Sequence, residues 1–563
     1  MPTVREIVRR LLPYDDAWNE SGGWPVLPTW PPDVFAVAAT LVEMSGCYVH
    51  PRYIAYWRRS CVHNDDYLEN VRRIGEAWRT RRLIRNQERY LSARWRELGG
   101  DGEAEVAVPE RERRLRRFPI WLDSAMNLLA IADEASAGLG FLGSDELRPL
   151  ADFVGEEFRL MLDQQPTALY LPYSLCSAVP ATELCVQPKS RTPQVGCTIR
   201  SLSHHLALLP RVGMLSTSWI PQHVLQPTGE RPFNLLVVPF PYRVSGASFT
   251  ESPLRNGQRV RFFELKQEWL LGEKRKLSPQ RLSRFLMELV EQAKREVRAV
   301  HGIVLPETAL SADLAGKVAK RLAAARLELF ICGVLQPGRG NRLPKNLAYT
   351  FPFKRGKIPF FLAQSKQHRW RLDRNQIQRY SLGDALDPKS TWWEKVDIGE
   401  RELAFVGFRQ RASLAALVCE DLARIDPAQT ALRSIGPNLV IALLMDGPQH
   451  EWRWPGRYAT VLADDPGSAV LTVTSLGMVK RDRLISKRGG PYPIALWKEP
   501  GGDARELSLD PGSHALVLTL TLAREEQLTL DGRSDGASAV RVSLSGVSSI
   551  SHPTPPPWLD GAA

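Results

Sequence analysis

At 563 residues, with 44% apolar and 24% charged side chains, the chain is too long for one ordinary domain and has the balance of a folded, soluble protein. No run approaches the roughly 18 consecutive apolar residues that span a bilayer, and the charged stretch Met1–Arg10 lacks a signal-peptide core, so insertion and export are excluded as readings. The net charge of +12 and pI near 9.4 favour contact with nucleic acid or another polyanion without establishing it.

Taken in chain order, the first two hundred residues read as mainly helical. Val34–Met44 has helical apolar spacing, and Asp66–Leu98 repeats apolar or aromatic residues at three and four before the stop at Gly99-Gly100. Gly99–Pro109 reads as a loop. Phe118–Ala135 and Ser144–Gln164 are further helices, the latter capped by Ser144 and followed by acids that suit a helix N-terminus. Residues 166–230, rich in Pro, Ser, Thr and Cys, read as a connector packed on the next domain.

From Pro232 β-prone runs alternate with helices. Strands are expected at Asn234–Val238, Gly302–Leu305, Leu327–Val334, Leu414–Val418, Asn438–Leu444, Val470–Ser475 and His514–Leu520. Helices are expected at Ser278–Ala299 and Ser311–Ala324. Such alternation predicts an α/β layered domain with both sheet faces covered. The domain boundaries follow: a helical Arg-rich domain over 1–165, the connector, an α/β domain over 231–525, and an extension with a Pro-rich tail over 526–563.

Seven cysteines (47, 61, 176, 185, 197, 332 and 419), with no Cys-x-x-Cys pair, argue against a disulfide scaffold or a zinc ribbon and point to a reducing cytoplasm. Cys176, Cys185, Cys197, His204 and His205 match no compact zinc spacing. His204-His205 reads more simply as the start of a packed helix.

Three segments carry candidate chemistry. In His301–Leu310 an apolar strand ends in Pro306-Glu307, and a carboxylate among apolar neighbours at a strand end has a raised pKa and suits a base. In Phe360–Trp370 a strand delivers Lys366 and then His368; an ammonium there stabilises a developing oxyanion. In Leu414–Leu422 the strand turns at Cys419-Glu420-Asp421, where a thiol is expected to be exposed and a nearby ammonium to lower its pKa. Taken singly, each has an ordinary structural reading: a loop carboxylate, a basic edge, a buried cysteine.

The order Pro-Glu, Lys-x-His, Cys-x-Asp, each at the end of a predicted strand, resembles the nitrilase superfamily of carbon–nitrogen hydrolases over about residues 230–525. Gly436–Leu444 and Arg457–Gly477 resemble that family's following strand, helix and strand. The resemblance implies a four-layer α-β-β-α sandwich behind the helical domain and a thiol mechanism without cofactor or metal. Glu307 would be the base, Cys419 the nucleophile, and Lys366 with the peptide N–H of Glu420 the oxyanion site. His368, Asp373, Glu420 and Asp421 are accessory candidates. Small amide or nitrile substrates and a homo-oligomer are also implied.

The sequence departs from the family pattern at its second Glu, whose place is held by Arg374; Asp373, Glu400 and Glu402 are candidate substitutes. The long interval between Lys366 and Cys419, with Trp392-Trp393, reads as an inserted lid or a remodelled pocket. A non-catalytic binding role is the alternative. In it the basic N-terminal half would engage a protein partner or nucleic acid through Arg72, Arg73, Arg79, Arg82, Arg85 and Arg89, with Trp78, Tyr90 and Trp95 interleaved for stacking. A solvated helix laced with ion pairs such as Glu69–Arg73 competes with that reading. Lys366–Tyr380 also resembles nitrilase-like domains attached to reverse transcriptases in bacterial antiviral defence. The chain has no Tyr-x-Asp-Asp polymerase motif, since Ala463-Asp464-Asp465 lacks the aromatic.

Overall fold

The computed structural model describes residues 2–18, 23–48, 63–100, 102–115, 118–141, 173–193, 198–213, 215–220, 232–253, 260–271, 276–354, 356–358, 360–409, 411–486 and 489–560. The expected helix over 144–164, along with Cys61 and Cys197, lies outside these residues. Among the described residues no helix is long and apolar enough to cross a membrane.

The N-terminal region is helical as expected, and its centre is the helix Ile120–Ala135, buried on nearly every face. Pro31–Ser45 packs along it, opened by two prolines where first-turn N–H groups need no partner and closed at Gly46 in the left-handed region (φ 68°). The single helix expected over 66–98 is two, His63–Arg79 and Arg85–Gly100. Arg81 turns left-handed (φ 56°), and the Gln87 side chain accepts the N–H of Ile84 to start the second helix. The break lets both segments pack on Ile120–Ala135, which one straight rod of about 50 Å would overshoot.

The α/β region is a four-layer α-β-β-α sandwich. One seven-stranded sheet runs, edge to edge, Leu362–Ser365, Lys345–Pro352, Leu329–Gln336, Gly302–Ser311, Phe233–Val237, Ala515–Glu525 and Ala539–Ile550. The other runs Arg505–Leu509, Tyr492–Lys498, Ala469–Thr474, Leu439–Leu444, Ala412–Val418, Glu402–Phe408 and Ser216–Ile220. Their inner faces pack together. Helices Pro279–Ala293 and Ala312–Leu322 lie over the first sheet, and Trp454–Asp464 and Leu476–Ser486 over the second. Each sheet has parallel strands at its centre (233–237, 302–311 and 329–336; 412–418, 439–444 and 469–474), so these strands read as continuous apolar runs.

Three boundaries differ from expectation. The segment 166–230 supplies strands: Leu184–Pro188 pairs with Leu206–Pro210, and Ser216–Ile220 is the edge of the second sheet. His204 and His205 begin no helix; Asp133 accepts the N–H groups of His204, His205 and Leu206 and fixes the bend that leads into the strand Leu206–Pro210. The division at 525 would cut a hairpin, because Ala515–Glu525 pairs with Ala539–Ile550. The tail beyond drapes back, with Trp558 edge-on to Phe285 at 5.5 Å.

The interval after Lys366 builds a small four-stranded sheet with an earlier excursion: Arg371–Leu372, Trp392–Glu394, Arg261–Leu265 and Phe249–Glu251, in that order. It has its own apolar core, including Phe249, Phe263, Trp370, Tyr380 and Trp392, which also packs against Met445 and Met478 of the sandwich.

Candidate active site

Three strands carry the candidate triad. Gly302–Ser311 is not regular: its parallel pairing with Leu329–Gln336 slips between Leu305 and Leu310, and Glu307 sits in that irregularity rather than past the strand end. Thr308 there is left-handed (φ 52°). The bulge needs a neighbour without a side chain, and Gly333 supplies it; a Cβ at Gly333 would fall 2.3 Å from the Glu307 Cα. Lys366 follows Leu362–Ser365 directly. Cys419 follows Ala412–Val418 and is left-handed too (φ 48°), a strained setting for a residue with a Cβ that recurs where a site dictates the backbone.

Lys366 is fully buried and bridges two carboxylates. Its Nζ donates to Glu307 Oε1 at 2.9 Å and to Glu394 Oε2 at 2.7 Å. Asn346 Nδ2 makes a second bridge, 2.7 Å to Glu307 Oε1 and 2.9 Å to Glu394 Oε1. The peptide N–H of Trp370 adds a donor to Glu394 Oε2 at 3.1 Å. Glu307 Oε2 is buried and has no partner among the described residues. Across the seam between the sheets, Asp421 accepts the N–H of Gln367 (3.0 and 3.1 Å), and His368 Nδ1 lies 3.1 Å from its Oδ1. The turn after the lysine is thereby tied to the turn after the cysteine.

Burial sets the protonation states. It raises the Glu307 pKa; Lys366 opposes the rise and the like charge of Glu394 adds to it. Burial alone would lower the Lys366 pKa, but Glu307 and Glu394 reverse that and hold it well above the usual lysine range. The Cys419 thiol, 2% exposed, is pushed well above the ordinary range by burial and then by Glu307, against Lys366. The expectation of an exposed thiol with a lowered pKa is therefore corrected: the thiol is buried, and burial raises its pKa. Burial also raises Asp421, with His368 opposing.

Glu307 thus meets Lys366 and His368 meets Asp421, with Cys419 two residues before Asp421 in the same turn and within reach of the Glu307 and Lys366 charges. Glu420 lies in the turn, its carboxylate paired with Arg424 at 3.0 Å. None of the three candidates for the second acid reaches Lys366. Asp373 caps the helix Arg374–Arg379, Glu400 pairs with Lys345, and Glu402 is exposed. The second acid at Lys366 is Glu394, delivered by the small sheet directly after Trp392-Trp393. Its signal was an acid ending an aromatic β-prone run inside the interval already marked as inserted. Asn346 has no comparable signal; it is placed by the antiparallel register of 345–352 with 362–365.

The six arginines named for nucleic acid lie on the outer side of the two-helix segment, Arg79 half-buried and the others exposed. Their supposed stacking partners do not face outward with them. Trp78 and Trp95 are buried and donate to the Thr29 and Pro25 carbonyls, and the half-buried Tyr90 donates to Asn127. Asp133, Glu134 and His205 cluster closely enough to hold a cation, but Arg533 occupies that place, 3.0 Å from Asp133 and 2.8 Å from Glu134.

No family model and no curated protein matches the sequence. Among solved structures, the chain is similar to an amidase from Nesterenkonia sp. AN1 with the acetamide moiety of fluoroacetamide on its active-site cysteine (14% identity, TM-score 0.31, 53% of this chain and 93% of that one). It is also similar to Saccharomyces cerevisiae Nit3, a member of branch 10 of the nitrilase superfamily (12%, TM-score 0.28, 51% and 93%). A third is a carbon–nitrogen hydrolase from Helicobacter pylori G27 (13%, TM-score 0.27, 57% and 90%).

Proposed function

We propose that this chain is a carbon–nitrogen hydrolase of the nitrilase type that cleaves a small amide or nitrile through a thioester on Cys419. The observation that carries the reading is Glu307 itself: its Oε1 is fixed by Lys366 and Asn346, its buried Oε2 has no partner among the described residues, and its charge acts on the buried Cys419 thiol. A base with one oxygen anchored and one open is oriented for a single proton transfer.

With an amide bound, Glu307 Oε2 takes the Cys419 proton as sulfur attacks the carbonyl carbon. The carbonyl π pair moves to oxygen, where the Lys366 ammonium and the Glu420 peptide N–H stabilise it. Collapse breaks the C–N bond, and the amine leaves with the proton held by Glu307. Water then gives its proton to Glu307 and attacks the thioester; the thiolate departs and regains that proton. Each transfer begins and ends on a carboxyl whose burial brings its pKa toward working pH.

The test is acid-quenched peptide mass spectrometry during incubation with simple amides and an activated acetyl ester. Acyl mass on the Cys419 peptide, together with ammonia release from an amide, is expected. An unmodified Cys419 and no ammonia from folded protein would overturn the reading.

The pH profile follows from the same charges. Protonated Glu307 cannot act as base, so activity falls as pH drops through its raised pKa, and the acidic limb lies above the ordinary carboxylate range. Glu394→Gln removes a like charge and moves that limb to lower pH. It also loosens Lys366, a positioning loss of up to about 100-fold in kcat. A limb that stays in place would show that Glu394 is not coupled to the base.

A further inference from the structure

One more buried acid stands at this site and the mechanism does not use it. Asp446 lies just past the strand Leu439–Leu444, the parallel neighbour of the strand Ala412–Val418 that Cys419 follows. The preceding residue, Met445, receives the Thr308 hydroxyl at 3.2 Å, which brings this strand end against the Glu307 bulge. Asp446 is 6% exposed. Its Oδ1 is fully engaged, accepting from Arg453 Nη2 at 2.8 Å and from the Tyr380 hydroxyl. Its backbone is pinned to Thr474. Its Oδ2 is buried and has no partner among the described residues.

A buried carboxylate oxygen without a donor has lost its hydration with nothing in return, a cost a ligand recovers by supplying the donor. An ionised carboxylate only accepts, so the ligand atom facing it must carry hydrogen. Charge narrows the choice further. With Glu307 ionised, as the base must be, Glu307 and Glu394 against Lys366, and Asp446 against Arg453, sum to one net negative charge, and buried Asp421 adds no positive one. An anionic substrate is repelled there and a cationic one is attracted. The departing amine collects its proton from Glu307, so that side of the substrate is taken. Asp446, on the other sheet, is left for the acyl side.

We propose that Asp446 selects the substrate, its open Oδ2 receiving a primary ammonium carried on the acyl part of a small amide. This rests on the hydrolase reading for its chemistry but not for its binding. The probes are glycinamide, β-alaninamide and 4-aminobutyramide, each against its neutral isostere (propionamide, butyramide, pentanamide) and its carboxylate counterpart (malonamate, succinamate, glutaramate). At least one ammonium compound is expected to exceed its isostere at least tenfold in kcat/KM, the size of a charge-assisted hydrogen bond. Asp446→Asn is expected to bring that ratio near one.

The same series is titrated calorimetrically into Cys419→Ala, which needs no turnover, and into that variant with Asp446→Asn added. Ammonium-selective binding lost with Asp446→Asn, without turnover in the wild type, would keep this inference and remove the hydrolase reading. Turnover that favours neutral or anionic amides, or a ratio unmoved by Asp446→Asn, would overturn this inference and keep the other. No binding and no turnover by any probe overturns both. If Asp446→Asn does not fold, the wild-type order of ammonium, neutral and carboxylate compounds decides alone.

Discussion

Cys419→Ala is expected to lower amide turnover by about 10⁴-fold or more while the protein stays folded. In the proposed mechanism sulfur forms the only covalent bond to substrate, and what remains without it is binding and a base aimed at water. The fold survives because the sulfur makes no hydrogen bond among the described residues. Lys366, Asn346, Glu307 and Glu394 hold one another without it. Alanine also tolerates the left-handed backbone (φ 48°) about as poorly as cysteine, so the strain is unchanged. The lost buried volume is small, worth about 1 kcal/mol. Ammonia release, circular dichroism and Tm measured together check this. More than a hundredth of wild-type turnover in the purified variant would remove Cys419 as nucleophile.

Arg533→Met is expected to cost about 3–5 kcal/mol of stability, the usual result of removing one partner from a buried charge cluster. Arg533 is nearly inaccessible. It donates to Asp133, Glu134 and Asp531 and to the carbonyls of Ala130 and Leu202, joining the central N-terminal helix to the segment between the last two long strands. Asp133 spends its oxygens on three peptide N–H groups as well. Burial by itself would raise the Asp133 and Glu134 pKa values, but Arg533 and the neighbouring histidines hold both below the usual range. A lowered folded-state pKa contributes stability above the unfolded value and loses it as pH falls. Wild type should therefore lose stability on acidification partly through this cluster, and the variant should show a shallower acid dependence. Denaturant unfolding from neutral to acid pH reads both. A variant within 1 kcal/mol of wild type would mean that water reaches the cluster and screens it.

What was legible in the sequence was local. A strand that delivers Glu307, Lys366 or Cys419 into a turn is a pattern of a few residues, and the alternation that predicts the sandwich is equally short-range. What escaped depends on register and sequence-distant packing. Glu394 meets Lys366 only because Trp392–Glu394 pairs with Arg261–Leu265. Asn346 faces the site through the offset of an antiparallel pair. The thiol's burial needs the whole sandwich closed around it, so a turn read in isolation placed it at the surface. The helix break near Arg81 answers to the length of Ile120–Ala135, which the sequence around Arg81 does not contain. In the Arg-rich segment the apolar spacing correctly marked an inward face; Trp78 and Trp95 belong to it.

The link between Arg533 and Asp133 spans 400 positions. Translation therefore delivers two acids destined for burial long before the cation that neutralises them. The strand Phe233–Val237 waits in the same way, since its antiparallel neighbour arrives with Ala515–Glu525. A nascent chain halted after residue 500 would hold an open sheet edge and an unneutralised acid pair. The central N-terminal helix and the first sheet thus both wait for partners that only the C-terminal segment supplies.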